Sequence, residues 1–340
     1  CVRGRGREVS WWKYPSLSLS WPRRCHNTVT RVSHKVINVR RPLFGEFKMF
    51  VRTFSVAAVA LSLVGCASTG PAAQGQFSFG LWGDMPYAKA GDAPKMQALL
   101  DSINKSDIAF SLYDGDIKDG SSQCTNAIYA DALTMFGQMK KPVVYVPGDN
   151  EWTDCHRLNN GGMDSLERLT HLRKVMYPTM NSLGQSQMPL EHQGKAGEKY
   201  VENTRFNQGG VVFVGINMPG SNNNLVLNAK DCSDKSARKA AQCDAANAEY
   251  LERDTANIAW LAASFAQARA QNAPGLVLVV QADPGFDLPE TEAIDESAAP
   301  GVSGYREFMN RLVKETEAFK GQVLLVHGDT HFFKMDKPLY

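Results

Sequence analysis

The sequence predicts an α/β fold in which helices cover open sheets, and two observations predict it. Short apolar runs alternate with amphipathic stretches over most of the chain from Phe77 onward. Four of those runs end in a Gly-Asp pair followed by further polar groups: Gly83-Asp84, Gly115-Asp116, Gly148-Asp149 and Gly328-Asp329. In open α/β sheets ligands sit beyond the carboxyl ends of the strands, so one fold can bring all four tips together.

Taken in order, Phe77–Leu81 reads as a strand and Ala93–Asn104 as the helix after it. Ile108–Tyr113 is a second strand, with a helix near Thr125–Gln138. Val143–Val146 is a third, followed by a helical region near Asp164–Met176. Lys199–Phe206 and Val211–Asn217 flank Gly209-Gly210, a hairpin signal. A long amphipathic helix runs from about Ala245 to Gln271, with Tyr250, Leu251, Ile258, Leu261 and Phe265 at its apolar positions. "LVLVVQADPGFD" (276–287) is a buried strand running into a polar tip. A helix near Gly304–Phe319 and a last strand, Gln322–Val326, lead to Gly328-Asp329-Thr330-His331.

At 340 residues, 43% hydrophobic and 21% charged, the chain is long enough for one large domain. Its formal charge of +2 hides an asymmetry: residues 1–48 hold eleven Lys or Arg and two acids. Setting these and Arg52 apart from the 37 basic and 35 acidic residues leaves 25 basic and 33 acidic. An acidic body offers no basic face for nucleic acid. Residues 1–48 show no apolar period, and the first methionine is Met49, so they read as an upstream extension or a basic arm. From Met49 a single Arg52 precedes an apolar run, Phe54–Val64, of signal-peptide length and too short to span a bilayer. Residues 49–65 are therefore expected to direct export. Leu63-Val64-Gly65-Cys66 resembles a bacterial lipobox, which implies lipidation of Cys66, a flexible tether over 66–76, and anchorage to a membrane facing the periplasm or exterior.

Beyond Cys66 there are four cysteines. An even number in an exported chain suggests disulfides, and three pairings exist. Cys124–Cys155 is favoured because both follow motif tips, and Cys232–Cys243 because it closes a local loop.

The polar groups gathered at strand ends are Asp84, Asp116, Asp119, Asp149, Asn150, Glu151, Gln281, Asp283, Asp329 and His331. Converging carboxylates resist burial unless a cation compensates. Oxygen donors with one imidazole suit Mn²⁺, Mg²⁺, Fe²⁺ or Ca²⁺ better than a thiolate zinc site. Two such ions sharing one carboxylate could serve hydrolysis of a phosphate ester.

The order of these tips resembles the calcineurin-like metallophosphoesterase superfamily, whose pattern is DxH, GDxxD, GNH[DE], a lone His, then GHxH. Gly115-Asp116-Ile117-Lys118-Asp119 matches the second motif; Gly148-Asp149-Asn150-Glu151 and Gly328-Asp329-Thr330-His331 approximate the third and last. The resemblance covers about residues 77–337 and implies a two-sheet sandwich flanked by helices, with 77–340 as one domain. It implies two divalent ions, one on Asp84, Asp116 and His331, the other on Asp116, Asp149, Asp329 and Gln281, with Asp116 bridging. Pro86, Asn150 and Asp329 stand where the family has histidines, and Gln281 or Asp283 stands at the lone-His tip. Asn150 is expected to face the phosphate, and water or His156, on the loop after the tip, to replace the missing proton donor. In the family a strand or more follows the last motif; here the chain stops nine residues beyond His331, so the second sheet is expected to lack its last strands, with 332–340 supplying part of one edge. The expected function is metal-dependent hydrolysis of a phosphate ester. The alternative is an exported metal-binding lipoprotein without catalysis, which the missing histidines favour, and a third possibility is a different two-metal hydrolase.

Overall fold

The computed structural model describes residues 76–87, 89–287 and 295–338, together with the backbone of three upstream segments, 17–20, 29–32 and 37–40. The signal segment 49–65, Cys66 and the tether as far as residue 75 lie outside the described residues. The upstream segments form short strands β1 (Leu17–Ser20), β2 (Val29–Val32) and β3 (Ile37–Arg40).

Within the body, β4 (Phe77–Trp82), β5 (Phe110–Tyr113) and β6 (Val143–Tyr145) lie parallel and adjacent, the third of them bounded by Pro142. Helices α1 (Asp92–Lys105) and α2 (Asn126–Phe136) make the crossovers. Helix α3 (Ser165–Met176) follows β6; the Asp164 carboxylate caps it, accepting from the N–H groups of Leu166 and Glu167 at 2.9 Å each. The second sheet has the order β11-β10-β9-β8-β7: β7 (Glu191–His192), β8 (Thr204–Gln208), β9 (Val211–Gly215), β10 (Gly275–Val279) and β11 (Gln322–Val326). Strands β9, β10 and β11 are parallel, while β8 and β7 run antiparallel at the edge. The upstream strands extend the outer edges, with β3 antiparallel to β4 and β2 parallel to β11.

The inner faces of the two sheets pack on each other through Phe79, Phe110, Val144, Phe213, Val277 and Leu324. Phe213 meets Phe79 and Phe110 edge-on at 5.2 and 5.0 Å between ring centroids. The outer face of the first sheet is covered by α1, α2 and α3. Two short helices, α4 (Gly220–Asn223) and α5 (Ala229–Ser233), follow β9, and the outer face of the second sheet is covered by the long helix α6 (Ala240–Ala270) and α7 (Arg306–Glu317). The molecule is thus α/β with two sheets between helices.

Several expectations need correction. Helix α6 starts five residues earlier than the apolar pattern suggests, because Gln242 Oε1 caps the Lys239 N–H at 2.9 Å and Cys243 is tied into its first turn. Leu251 is 63% exposed: the face that meets the core is set by Tyr250, Arg253, Asp254, Asn257 and Leu261. Residues 199–203 form turns rather than strand, and 332–338 form no strand, the free edge of β11 being paired with β2. Both favoured disulfides are present, Cys124–Cys155 and Cys232–Cys243. No helix among the described residues is long and apolar enough to cross a membrane.

Candidate metal centre

Each polar tip leaves the carboxyl end of a parallel strand. Asp84 follows β4, Asp116 follows β5, Asp149 follows β6, Gln281 follows β10, and Asp329 and His331 follow β11. Because the two sheets face each other with these ends together, the tips meet over the sandwich. Asp84 (φ 50°), Asp116 (φ 61°), Asp329 (φ 73°) and His331 (φ 59°) all occupy the left-handed region. Such backbone is sparsely populated by non-glycine residues and concentrates at functional sites. It turns each side chain off the strand axis and into the common space. Two glycines make the approach possible. A Cβ on Gly115, itself at φ 105°, would lie 2.6 Å from Gln281 Cγ and 2.7 Å from Gly148 N, and one on Gly148 would collide with the Asp116 carboxylate.

The result is two groups of donors that share Asp116. Asp84, Asp116 and His331 offer ligand atoms within 4.8 Å of one another, and so do Asp116, Asp149 and Asp329. Burial, reinforced by repulsion from Asp149, Glu151, Asp84 and Asp329, pushes the Asp116 carboxyl well above its usual range. Asp329 is raised for the same reasons, burial first and then Asp149 and Asp84. Among the described residues no Lys or Arg forms an ion pair with Asp116, Asp149 or Asp329. The buried Lys118 ammonium donates to Asp119 O at 2.8 Å. A carboxylate set this close and this little compensated fits a divalent cation, and its oxygen-rich character fits a hard one.

The remaining residues are placed as follows. Asn150 donates from Nδ2 to Asp116 Oδ2 at 2.6 Å, and its backbone N–H reaches Asp116 Oδ1 at 3.2 Å. It therefore holds the shared carboxylate rather than facing open space. Gln281 enters by its amide nitrogen, 3.2 Å from Asp149 Oδ1 and 3.3 Å from Asp329 Oδ1, while its carbonyl oxygen accepts from Gly220 N at 2.5 Å. A ligand role for Gln281 requires that amide to turn over. Asp119 and Asp283 cap the turns that follow them.

His156 does not join the cluster. Its Nε2 receives the guanidinium of Arg238 at 2.7 Å and its Nδ1 lies 2.8 Å from Ser236 Oγ. Arginine only donates, so Nε2 is the acceptor and the ring proton sits on Nδ1. Burial, then the charges of Arg238 and Arg157, push the imidazole down to about 3. A neutral imidazole is a poor acid, and with both nitrogens engaged and the ring outside both donor groups, the structure does not bring His156 to the donor role expected of it.

Three contributors were given no role from the sequence, although Glu151 was among the strand-end groups. Tyr87, four residues past Gly83, places its hydroxyl 2.7 Å from His331 Nε2. Burial and the surrounding carboxylates raise its pKa, so it keeps its proton. Glu151 Oε1 accepts from the N–H groups of Asp116 (3.2 Å) and Gly148 (2.6 Å) and from the Tyr145 hydroxyl (2.8 Å). It pins two tips together from below. Ser221 Oγ lies 2.8 Å from Asp149 Oδ2 and 2.6 Å from Asp154 Oδ1. One hydroxyl proton cannot serve two carboxylates. Asp154, raised to about 8 by burial and by Asp149, can supply the second proton.

Ser221 belongs to α4 (Gly220–Asn223), a single turn whose residues Ser221, Asn222 and Asn223, with Asn224 after them, have φ from 52° to 67°. The "SNNN" composition was the available signal, since Asn tolerates this region best after Gly. The buried Arg253 of α6 holds the turn, donating to Asn223 Oδ1 (2.6 Å), Asn223 O (2.9 Å) and Asn217 O (3.0 Å). Trp82 and Trp152, which flank two of the tips, are core residues, 3% and 0% exposed.

No protein-family model matches the chain, and no curated protein matches it.

Proposed function

We propose that this protein is an exported metallophosphoesterase of the calcineurin-like type that hydrolyses a phosphate ester over two divalent ions. Under this reading the ions sit on Asp84, Asp116 and His331 and on Asp116, Asp149 and Asp329, and a lipid on Cys66 ties the chain to a membrane. One observation carries the proposal: two carboxylate-rich groups sharing Asp116 at the carboxyl ends of parallel strands from two facing sheets. When bound, the ions would supply Lewis acidity toward phosphoryl oxygens and lower the pKa of water. The chain's own residues do the rest. Asn150 and Glu151 fix the shared Asp116 tip from two sides. Tyr87 orients the His331 ring and presents an O–H at the mouth of the site. Gly220 N and the Gln281 amide hold the Asp149–Asp329 side.

A specific observation favours a second reading, a metal-binding protein without turnover. Asn150 is spent on Asp116, and His156 is neutral and turned to Arg238. The test strips the protein with chelator, restores Mn²⁺, Mg²⁺, Ca²⁺, Fe²⁺ or Zn²⁺, and follows bound metal and hydrolysis of aryl phosphate mono- and diesters. Metal-dependent turnover that Asp116→Asn abolishes is the expected outcome. Stoichiometric binding without turnover would move the protein to the second reading.

A further inference from the structure

A cavity of about 940 Å³ adjoins the carboxylate cluster, with Ser221 in the wall between them. We propose that this cavity is a recognition subsite for a second anionic group on the substrate, seated against Arg238 and Arg157. The proposal rests on the phosphoesterase reading for the word substrate, but not for the anion site itself.

The chemistry of the wall points to an anion. Arg238 spends one nitrogen on the neutral imidazole of His156, which leaves its charge unopposed by that partner. Its Nε is buried without a hydrogen-bond partner, and among the described residues no carboxylate forms an ion pair with it. The N–H groups that remain, on Nη1 and the second hydrogen of Nη2, form the end-on pair that phosphate and carboxylate take in two-point contact. Arg157 stands beside it: one nitrogen is 2.5 Å from Asp154 Oδ2, another donates to Ser221 Oγ at 3.1 Å, and the side chain remains 39% exposed. A single hydroxyl thus separates Arg157 from Asp149 of the cluster. A substrate with its ester phosphate at the carboxylates can reach the guanidinium groups with its other end.

The cavity is built rather than incidental. Its two walls, residues 153–159 and 221–238, are stitched by Leu158 N to Lys235 O (2.8 Å) and Ala237 N to His156 O (3.0 Å). Cys155 and Cys232 anchor the two walls through separate disulfides. A site held in advance loses less on binding. Leu158, 65% exposed, and Leu227, 43% exposed, add an apolar side to the cavity. Asp231 and Asp234 also line it but are exposed, whereas His156 and Asp154 are buried. The anion is therefore taken at the buried end and a larger substrate leaves past the leucines. The ligand class is an organic phosphate ester bearing a second phosphate or a carboxylate, with an apolar stretch between.

The test uses the full chain in chelator, with inorganic phosphate as the probe and titration calorimetry as the readout. Without cations the carboxylate cluster repels phosphate, so saturable binding reports the cavity alone. Arg238→Ala should weaken it tenfold or more. Arg238→Gln, which keeps a donor for His156 Nε2 without the charge, should do the same, and Arg238→Lys should restore part of it. Near-ultraviolet circular dichroism verifies each variant's fold, and Arg238→Gln decides the matter if Arg238→Ala does not fold. Absence of saturable phosphate binding, or binding that survives Arg238→Gln in a native sample, overturns the proposal. In the metal-loaded protein, loss of Arg238 should raise KM tenfold for an aryl phosphate carrying a carboxylate, with kcat retained. If phosphate binds in an Arg238-dependent way but no ester is hydrolysed, the anion site stands and the phosphoesterase reading falls.

Discussion

Asp329→Asn should make the metal-free protein more stable at neutral pH, and the gain should grow as pH rises. Asp329 lies among Asp149, Asp84 and Asp154, and burial followed by their charges raises its carboxyl well above the usual range. A carboxyl whose native pKa exceeds its unfolded one, about 3.9, stabilises the native state only while it keeps its proton. That contribution is complete below the unfolded value and drains away as pH rises toward the native one. Each pH unit in that interval removes about 1.4 kcal/mol, or about 3–6 °C in Tm for a domain of this size. Asparagine removes this term, tolerates the left-handed backbone at φ 73°, and offers an N–H to the neighbouring carboxylates. His156 works in the opposite sense. Its native value, pushed down to about 3, lies below that of a free imidazole, so its contribution is present above about pH 6.5 and lost on acidification. Parent and variant share this term, and it cancels in their difference. The assay is thermal and urea unfolding of both proteins in chelator from pH 4.5 to 8, repeated with Mn²⁺. The difference should widen by about 1.4 kcal/mol per pH unit, starting above the unfolded carboxyl's value. With Mn²⁺ at a hundred times Kd the parent should regain about 2.7 kcal/mol and the variant less. A difference that stays constant with pH would refute the idea that this cluster carries unrelieved charge.

Non-reducing peptide mapping should link Cys124 to Cys155 and Cys232 to Cys243, and paired Cys→Ser replacement should cost about 3.7 and 2.8 kcal/mol in urea unfolding, following the loop spans of 31 and 11 residues. Arg173 forms a buried two-point pair with Glu202, whose carboxyl burial would raise but which Arg173 brings below its usual range. Arg173→Ala strands that charge and should cost about 3–5 kcal/mol by denaturant unfolding; a loss under about 1 kcal/mol would show that water reaches Glu202. Nitrogen-15 spectra of His156 should keep the neutral-ring pattern, protonated at Nδ1, from pH 7 down to pH 5, since its pKa is driven to about 3. A titration midpoint near 6.5 would contradict the Arg238–His156 contact.

The parts of this molecule written in short-range pattern could be read from the sequence. Strands β4, β5, β6 and β11 were legible because an apolar run followed by Gly-Asp marks both the strand and the end that bears the ligand groups, and β10 because its apolar run ends in the polar stretch Gln281-Ala282-Asp283. Asp84, Asp116, Asp149, Asp329 and His331 came from the same signal, and they do converge. What depends on tertiary partners was not legible. Nothing in "DNEWTDCHR" says that Asn150 turns to Asp116, or that His156 meets an arginine 82 residues away. The two-residue strand β7 is defined by its pairing with β8 alone. Leu251 looked like core by composition, but helical phase places the polar Arg253, Asp254 and Asn257 inward, where buried amides and carbonyls need them.

The turn at Ser221–Asn224 has a consequence in the language of chirality. Four successive L-residues there adopt the backbone of their mirror images, each against its own preference. D-serine or D-asparagine, introduced by semisynthesis, would favour that conformation, whereas the natural chain keeps it under the hold of Arg253, a residue of α6 some thirty positions further along. The wall between the carboxylates and the neighbouring cavity is therefore as enduring as one guanidinium on a distant helix. Losing that side chain would let the turn revert to the ordinary hand and carry Ser221 away from Asp149 and Asp154, merging two compartments into one.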